Sequence, residues 1–285
     1  MKDSLEQNSK EGSKEYKLQQ EIERIVQDSD NFELAKSNFE TEIKTKYNLA
    51  FEVDDNVFPP FYFDISLIMA EVINNIWSEG KVNIQNLLAI GVGSEIDFVP
   101  IINSSLDNIQ KTSKQSPKNL PKKLSRLYGT DINPLAIQNT NSNFAFLGNS
   151  LKNSQPQIFL NDRIPNELKN NNIDLAWWNI PFFGKKITEY RLDQNQSKHY
   201  WESRFDENHN SLRIILTDLK NILVREGKLV LMYSEFGVKD IERIIQDAGF
   251  FEISRKNVTV KECIRQKLPV ELQFEVFIVT FELSR

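Results

Sequence analysis

Apolar and polar positions change rhythm several times along this chain. The first fourteen residues, MKDSLEQNSKEGSK, contain no apolar run and are expected to be disordered. From Tyr16 the spacing turns helical, with Leu18, Ile22, Ile25 and Val26 on one face. A second helix is expected over Asn31 to Lys46, with Phe32, Leu34, Ala35, Phe39 and Ile43 as its apolar positions. Residues 15–55 thus read as a helical N-terminal appendage to a domain spanning 56–285. The paired prolines of NVFPPFYF (Asn56 to Phe63) exclude regular helix there, and Asp64 is a fitting N-cap for a helix running to about Trp77.

Beyond that point strands and helices alternate. VNIQNLLAIGVG predicts a strand ending in a glycine turn, followed by an apolar helical stretch near Ile96 to Ile102. LSRLYGTDI predicts a second strand, and NPLAIQNTNSNFAF a helix opened by Asn133 and Pro134. PQIFLND and IDLAWWN are the third and fourth strands. SLRIILTDLKNILV is an amphipathic helix, GKLVLMYSEF a fifth strand, and VKDIERIIQDAG a helix ended by Gly249. FEISRKNVTV and LQFEVFIVTFEL close the chain as two consecutive strands. The alternation predicts an α/β fold, a parallel sheet with helices on both faces and one antiparallel member.

Composition narrows the function classes. Hydrophobic residues make up 40% and charged residues 26% of the 285, an ordinary soluble balance at a length that supports a full core. The lone Cys263 excludes an internal disulfide, and with only two histidines no soft-metal site is expected. No segment suggests a signal peptide or membrane span, so a cytoplasmic protein is expected. Net charge is −5, which weighs against a broad nucleic-acid footprint. Lys111 to Arg126 holds six basic residues and no acid. It connects a helix to the start of a strand, the edge of such sheets that faces away from ligands, and so reads as a solvated loop.

In a parallel α/β sheet the carboxyl ends of the strands converge on one crevice. The first strand ends in Gly91-Val92-Gly93-Ser94, where two glycines let backbone approach a ligand, although GxG alone also describes a tight turn. The second ends in Gly129-Thr130-Asp131-Ile132. An acid there can accept hydrogen bonds from both hydroxyls of a ribose, or cap the helix beginning at Pro134. The third ends in Asn161-Asp162, where Asp162 can accept from an adenine amino group or serve as plain loop chemistry. The fourth ends in Asn179-Ile180-Pro181-Phe182. Here an amide oxygen and a backbone carbonyl can hold a flat N–H group, Pro181 stiffens the turn, and Phe182 offers a stacking face. Phe61, Tyr62 and Phe183 join Phe182 as candidate substrate contacts.

The order and strand register of these motifs resemble the S-adenosylmethionine-dependent N-methyltransferases, most closely the release-factor glutamine methyltransferases and their "methyltransferase small" relatives. The resemblance rests on Gly91-Val92-Gly93-Ser94, on Asp131-Ile132-Asn133-Pro134 with Ala136 and Asn143, and on Asn179-Ile180-Pro181-Phe182. Val57-Phe58-Pro59-Pro60 resembles the proline segment ahead of the family's first strand. The likeness covers about residues 55–255. It implies a Rossmann-like seven-stranded methyltransferase sheet, S-adenosyl-L-methionine as cofactor, and transfer to a protein glutamine. Cofactor contacts would come from Gly91, Val92, Gly93, Asp131, Ile132, Asp162 and Asn179, and the transfer step from Asn179, Ile180, Pro181 and Phe182.

Two positions depart from the family pattern. Ala89 stands where an acid is usual, leaving Glu95 or Asp97 to supply the charge for the cofactor's ammonium. Ile180 replaces the motif's first proline, and Asn-Ile-Pro-aromatic is also the form found in rRNA adenine dimethyltransferases. Adenine N6-methylation of RNA or DNA is therefore the first alternative. A small-molecule or peptide-tailoring enzyme and a non-catalytic binding module are the others. Residues 185–210, with both histidines and several aromatics, read as a substrate lid or a surface insertion.

Overall fold

The computed structural model describes residues 29–61, 65–78, 84–104, 124–147, 156–169, 172–181, 206–234, 238–263 and 268–281. The expected disordered start, the helix from Tyr16, the Asp64 cap, nearly all of the basic segment, Tyr62, Phe182, Phe183 and most of the 185–210 insertion lie outside them.

Two helices, α1 (Ser29–Tyr47) and α2 (Ile65–Ser78), precede the sheet. Then follow β1 (Asn86–Ile90), β2 (Arg126–Asp131), α3 (Pro134–Leu147), β3 (Gln157–Leu160), β4 (Ile173–Asn179), α4 (Asn210–Leu219), β5 (Leu223–Ser234), α5 (Val238–Asp247), β6 (Phe250–Cys263) and β7 (Leu268–Phe281). A 3-10 turn, Ile96–Phe98, leads into helical residues 99–104. The strands form one seven-stranded sheet in the order β3-β2-β1-β4-β5-β7-β6. All pairings from β3 to β5 are parallel, and β7 runs antiparallel to both neighbours, the single antiparallel member expected. Strand order reverses direction between β1 and β4, which opens a crevice at their carboxyl ends.

Alternate residues of each strand serve two cores, because side chains point to opposite faces with a period of two. Leu87, Ala89, Leu175, Trp177, Val230 and Met232 face a core shared with α1, α2 and the 3-10 turn. Leu88, Ile90, Ala176, Trp178, Leu229 and Leu231 face a second core closed by α4 and α5. The two adjacent tryptophans therefore anchor opposite layers. On α5 the buried set Ile241, Ile244 and Ile245 follows helical spacing, and Gly249, with φ of 78°, ends the element.

The described part of the N-terminal region packs into the core. Ala35, Phe39, Ile43 and Tyr47 of α1 are buried, and Phe39 meets Phe51 and Phe61 at ring distances of 6.2 and 5.9 Å. The helix expected through Val224 ends at Leu219, and β5 starts at Leu223. The apolar run there suits either element. Tertiary pairing decides it: Ile173 N–H donates to the Ile222 carbonyl, and Ile173 pairs with Leu223.

Candidate active site

The end of β1 turns sharply because Gly91 and Gly93 adopt left-handed φ values of 67° and 54°. Both the Gly91 and Val92 N–H groups donate to the Thr130 carbonyl, at 2.8 and 3.1 Å. A side chain at Gly91 would also press within 3.3 Å of the Trp178 indole nitrogen, so the turn needs glycine for space as well as conformation.

Asp131, the last residue of β2, braces the site. Its Oδ2 accepts the Gly93 N–H at 3.0 Å and its Oδ1 accepts the Asn133 N–H at 2.8 Å, so one carboxylate ties the glycine turn to the start of α3. The cap itself is Asn133, whose Oδ1 accepts from Leu135 N–H. A carboxylate oxygen can accept in more than one direction. Ile132 beside it is 40% exposed, which leaves its side chain able to cover a flat ring.

These groups line a single cavity of about 640 Å³ at the carboxyl ends of β1, β2 and β4. Its wall contains Gly91, Val92, Gly93, Asp131, Ile132 and Asp162, together with Asn179, Ile180 and Pro181. Asn179, the last residue of β4, is half-buried, and its Oδ1 has no hydrogen-bond partner. Ile180 shows what the replaced proline changes. Its N–H donates to the Met232 carbonyl at 3.0 Å, a ladder bond that proline cannot make, and its side chain is fully buried in the second core. The turn is thus held by β5 and by packing where a second proline would have stiffened it.

Phe61 does not reach the cavity. It is fully buried against Phe39, because the turn at residues 55–61 directs its ring into the core under α1. Val57, Phe58 and Pro60 line the cavity instead. This strap is pinned by three asparagines on and before α3. Asn143 accepts the Glu52 N–H, Asn139 and Asn143 donate to the Glu52 carbonyl, and Asn133 donates to the Asn56 carbonyl. Such buried backbone pairing explains why so many amides lie along one helix. Sequence reading named Asn133 and Asn143 and passed over Asn139.

The opposite rim comes from residues at the end of the 185–210 insertion. Asp206 accepts the N–H groups of Ser211 and Leu212 at 2.8 and 3.0 Å, fixing the entry to α4, and lines the cavity with Glu207, Asn208 and Arg213. Next to it His209 is buried edge-on to Tyr233, and burial lowers its pKa. The local signal was an acid followed by Asn-His-Asn before an amphipathic run.

Two acids stand behind the glycine turn. Glu95 is 3% exposed in a left-handed backbone (φ 70°), and neither carboxyl oxygen has a hydrogen-bond partner. The nearby Thr140 hydroxyl donates to the Gly93 carbonyl instead. Burial holds the Glu95 pKa well above the usual carboxylate range, and Asp97 and Asp131 add to the rise. Asp97 lines the cavity, whereas Glu95 is not among the lining residues. The Trp177 indole N–H donates to Asp97 Oδ2 at 3.2 Å, Oδ1 is buried without a partner, and burial raises the pKa to about 7. Both groups favour the neutral form more strongly in the folded chain than in the unfolded one. Their contribution to stability is full at pH below the ordinary carboxylate value and is lost as pH rises, for Asp97 through about 7. The ligand-free protein should therefore melt roughly a few degrees lower at pH 8.5 than at pH 6. The double variant Glu95→Gln, Asp97→Asn should remove most of that difference in a calorimetric scan.

No protein-family model matches the chain, and no curated protein matches it. Solved structures do. The catalytic domain of hMettl16 in complex with the MAT2A 3′UTR hairpin 1 is similar with a TM-score of 0.52 at 10% identity, covering 88% of this chain and 84% of that one. The delta-N METTL16 methyltransferase domain gives a TM-score of 0.53 at 11% identity, over 87% and 96%. A candidate RNA methyltransferase from Pyrococcus horikoshii, PH1948, gives 0.50 at 10%, over 85% and 99%. Identities this low speak to architecture alone. With its strand order, its antiparallel β7 and its helices on both faces, the chain has the Rossmann-like methyltransferase fold of these structures.

Proposed function

We propose that this protein is an S-adenosylmethionine-dependent N-methyltransferase whose acceptor is a planar amide or amino nitrogen. One observation carries the reading: Asn179, whose buried Oδ1 has no partner, lines the same cavity as the Gly91–Gly93 turn and Asp131. A buried acceptor without a donor is costly, and such groups are retained where a ligand completes them. The residues fit a nucleoside-bearing cofactor, with a close-approach glycine turn, a carboxylate for ribose hydroxyls and an exposed apolar residue for the base. S-adenosylmethionine, when bound, supplies an electrophilic methyl group.

The chain's own part is orientation. In this reading Asn179 Oδ1 accepts an N–H of the acceptor group, and the carbonyl of residue 180 accepts a second. Holding both turns the nitrogen lone pair out of conjugation and toward the methyl carbon, the alignment that displacement requires. Pro181, which has no N–H, ends the strand beside the acceptor, and Phe182 would stack on its plane. The proton leaves nitrogen to water after transfer, so no protein base is needed at this step. Replacing Asp131 by alanine should weaken S-adenosylhomocysteine binding by about 100-fold, since it removes charge-assisted bonds to the ribose and loosens the glycine turn. Titration calorimetry checks this.

The acceptor we favour is a protein glutamine, as the resemblance to release-factor glutamine methyltransferases implies. A second reading, adenine N6 in RNA, draws support from the Asn-Ile-Pro-aromatic form of the motif and from the RNA hairpin bound by the similar hMettl16 domain. Incubation with methyl-tritiated cofactor, a glutamine-bearing peptide pool and total RNA separates them. Label recovered as methylglutamine supports the first, and label recovered as N6-methyladenosine replaces it with the second. Label in neither fraction contradicts both.

A further inference from the structure

Among the described residues two arginines and no lysine line the cavity, and only one of the two is neutralised. Arg163 donates through Nε and Nη2 to Asp218 at 3.1 and 2.8 Å. Arg213 is exposed, and among the described residues no acid forms an ion pair with it. It also stands where a helix least favours a cation. It lies in the first turn of α4, where the aligned peptide dipoles already place positive potential. The helix gains nothing from a positive charge at that position, which points to an anion from outside the chain.

Placement tells which ligand Arg213 faces. Arg213 and Asp218 are five positions apart on α4, about 140° around its axis, and border opposite sides of the buried stripe of Leu212, Ile215, Leu216 and Leu219. Asp218 turns toward Arg163, just past the end of β3. Arg213 turns the other way, toward the end of β5. There its charge is felt at His209, where it adds to the fall that burial imposes on the imidazole pKa. His209 in turn packs edge-on to Tyr233 at 5.6 Å, and Tyr233 follows Met232, the register partner of Asn179. Arg213 therefore stands on the β5 side of Asn179, whereas Asp131, the ribose carboxylate, ends β2 beyond β1.

We propose that Arg213 reads a carboxylate next to the nitrogen to be methylated, so that the acceptor is a polypeptide with aspartate or glutamate beside its target glutamine. The proposal rests on the reading of Asn179 as the group that orients the acceptor. A guanidinium presents paired N–H donors that match the two oxygens of a carboxylate, which fixes direction as well as adding charge. The rest of the wall decides against a phosphate backbone. Asp131, Asp162, Asp206 and Glu207 line it, and one uncompensated cation among such acids suits a single negative charge. An RNA strand brings a phosphate with every nucleotide and needs a run of cations to meet them.

The test is methyl transfer from tritiated S-adenosylmethionine, by the full chain, to three pools of short peptides. Each pool has one central glutamine and uncharged neighbours, except that a flanking position is fixed as glutamate, serine or lysine. The ratio of initial rates between pools is the readout, because any loss of folded enzyme cancels in it. Wild-type protein should methylate the glutamate pool about tenfold faster than the serine pool, with the lysine pool slowest. Arg213→Lys should keep that order with a smaller ratio, since it retains the charge and loses the fork. Arg213→Glu should reverse it and favour lysine over glutamate. Equal rates for the three pools with wild-type protein overturn the role of Arg213 and leave the glutamine reading standing. An order that Arg213→Glu fails to change does the same. Transfer to no peptide pool, with label found in RNA or nowhere, removes the glutamine reading and this inference together. Should Arg213→Glu not fold, Arg213→Gln takes its place and should bring the three rates together.

Discussion

Replacing Asn179 by alanine should lower the turnover number for methyl transfer by about 10³-fold, while the affinity for S-adenosylhomocysteine falls far less. The asymmetry follows from where the amide stands. The β4 backbone around it is held by pairing with β1 and β5 and by the Ile180 N–H bond to the Met232 carbonyl, none of which involves the Asn179 side chain. Its buried Oδ1 has no partner, so alanine removes an acceptor that none of these strand pairings uses. That acceptor orients a nitrogen whose lone pair is otherwise delocalised in a plane. Losing it takes away alignment more than ground-state binding, so single-turnover assays should show the defect in the chemical step. Asn179→Asp, which keeps an acceptor at the same place, should retain more activity than alanine. Equal losses in binding and turnover would instead make Asn179 a group that holds the cofactor alone.

The largest effect on stability is expected at a residue far from any chemistry. Phe39→Ala should destabilise the fold by about 3–5 kcal/mol. That loss corresponds to a fall in melting temperature of roughly 10 °C for a chain of this size. Phe39 is fully buried at the junction of α1, the strap and α2, with Phe51 and Phe61 against its ring and Ile43 and Trp77 in the same core. Removing the ring leaves a cavity that three separate segments would have to collapse to fill. The strap whose Phe61 rests on Phe39 also carries Phe58 and Pro60 on the cavity wall, so ligand affinity should fall along with stability. Denaturant unfolding of the variant measures the first effect and calorimetry the second. An unchanged midpoint would mean that α1 does not pack where it stands here.

Much of the fold was legible because β strands announce their environment. The runs LLAI, LAWW and LVLMY are apolar throughout, which suits a strand covered on both faces, and each proved to divide its residues between two cores. The strand ends were legible for a different reason: Gly-x-Gly, an acid, and Asn-x-Pro are residue types that regular structure does not need, and all three fell on one cavity. What escaped was decided by distant partners. The start of β5 depends on Ile173, some fifty positions earlier, and local periodicity cannot see it. The burial of Phe61 depends on α1, which on its own pattern resembled a separate appendage. Asn139 looks like a surface amide on a helix until the backbone of Glu52 and Asp54 is laid across it. Asp97 was one of two acids named for a missing charge, and only the indole of Trp177 and the cavity wall distinguish it from Glu95.

All of the chemistry argued above requires that a nucleoside with a sulfur-bearing tail occupy the space between the Gly91 bend and Asn179. A crystal structure grown with saturating S-adenosylhomocysteine tests that directly. The expected result is ribose hydroxyls within hydrogen-bond distance of Asp131 and the sulfur turned toward the Asn179 amide. A ligand bound elsewhere, or no ligand in this cavity at saturation, would contradict it.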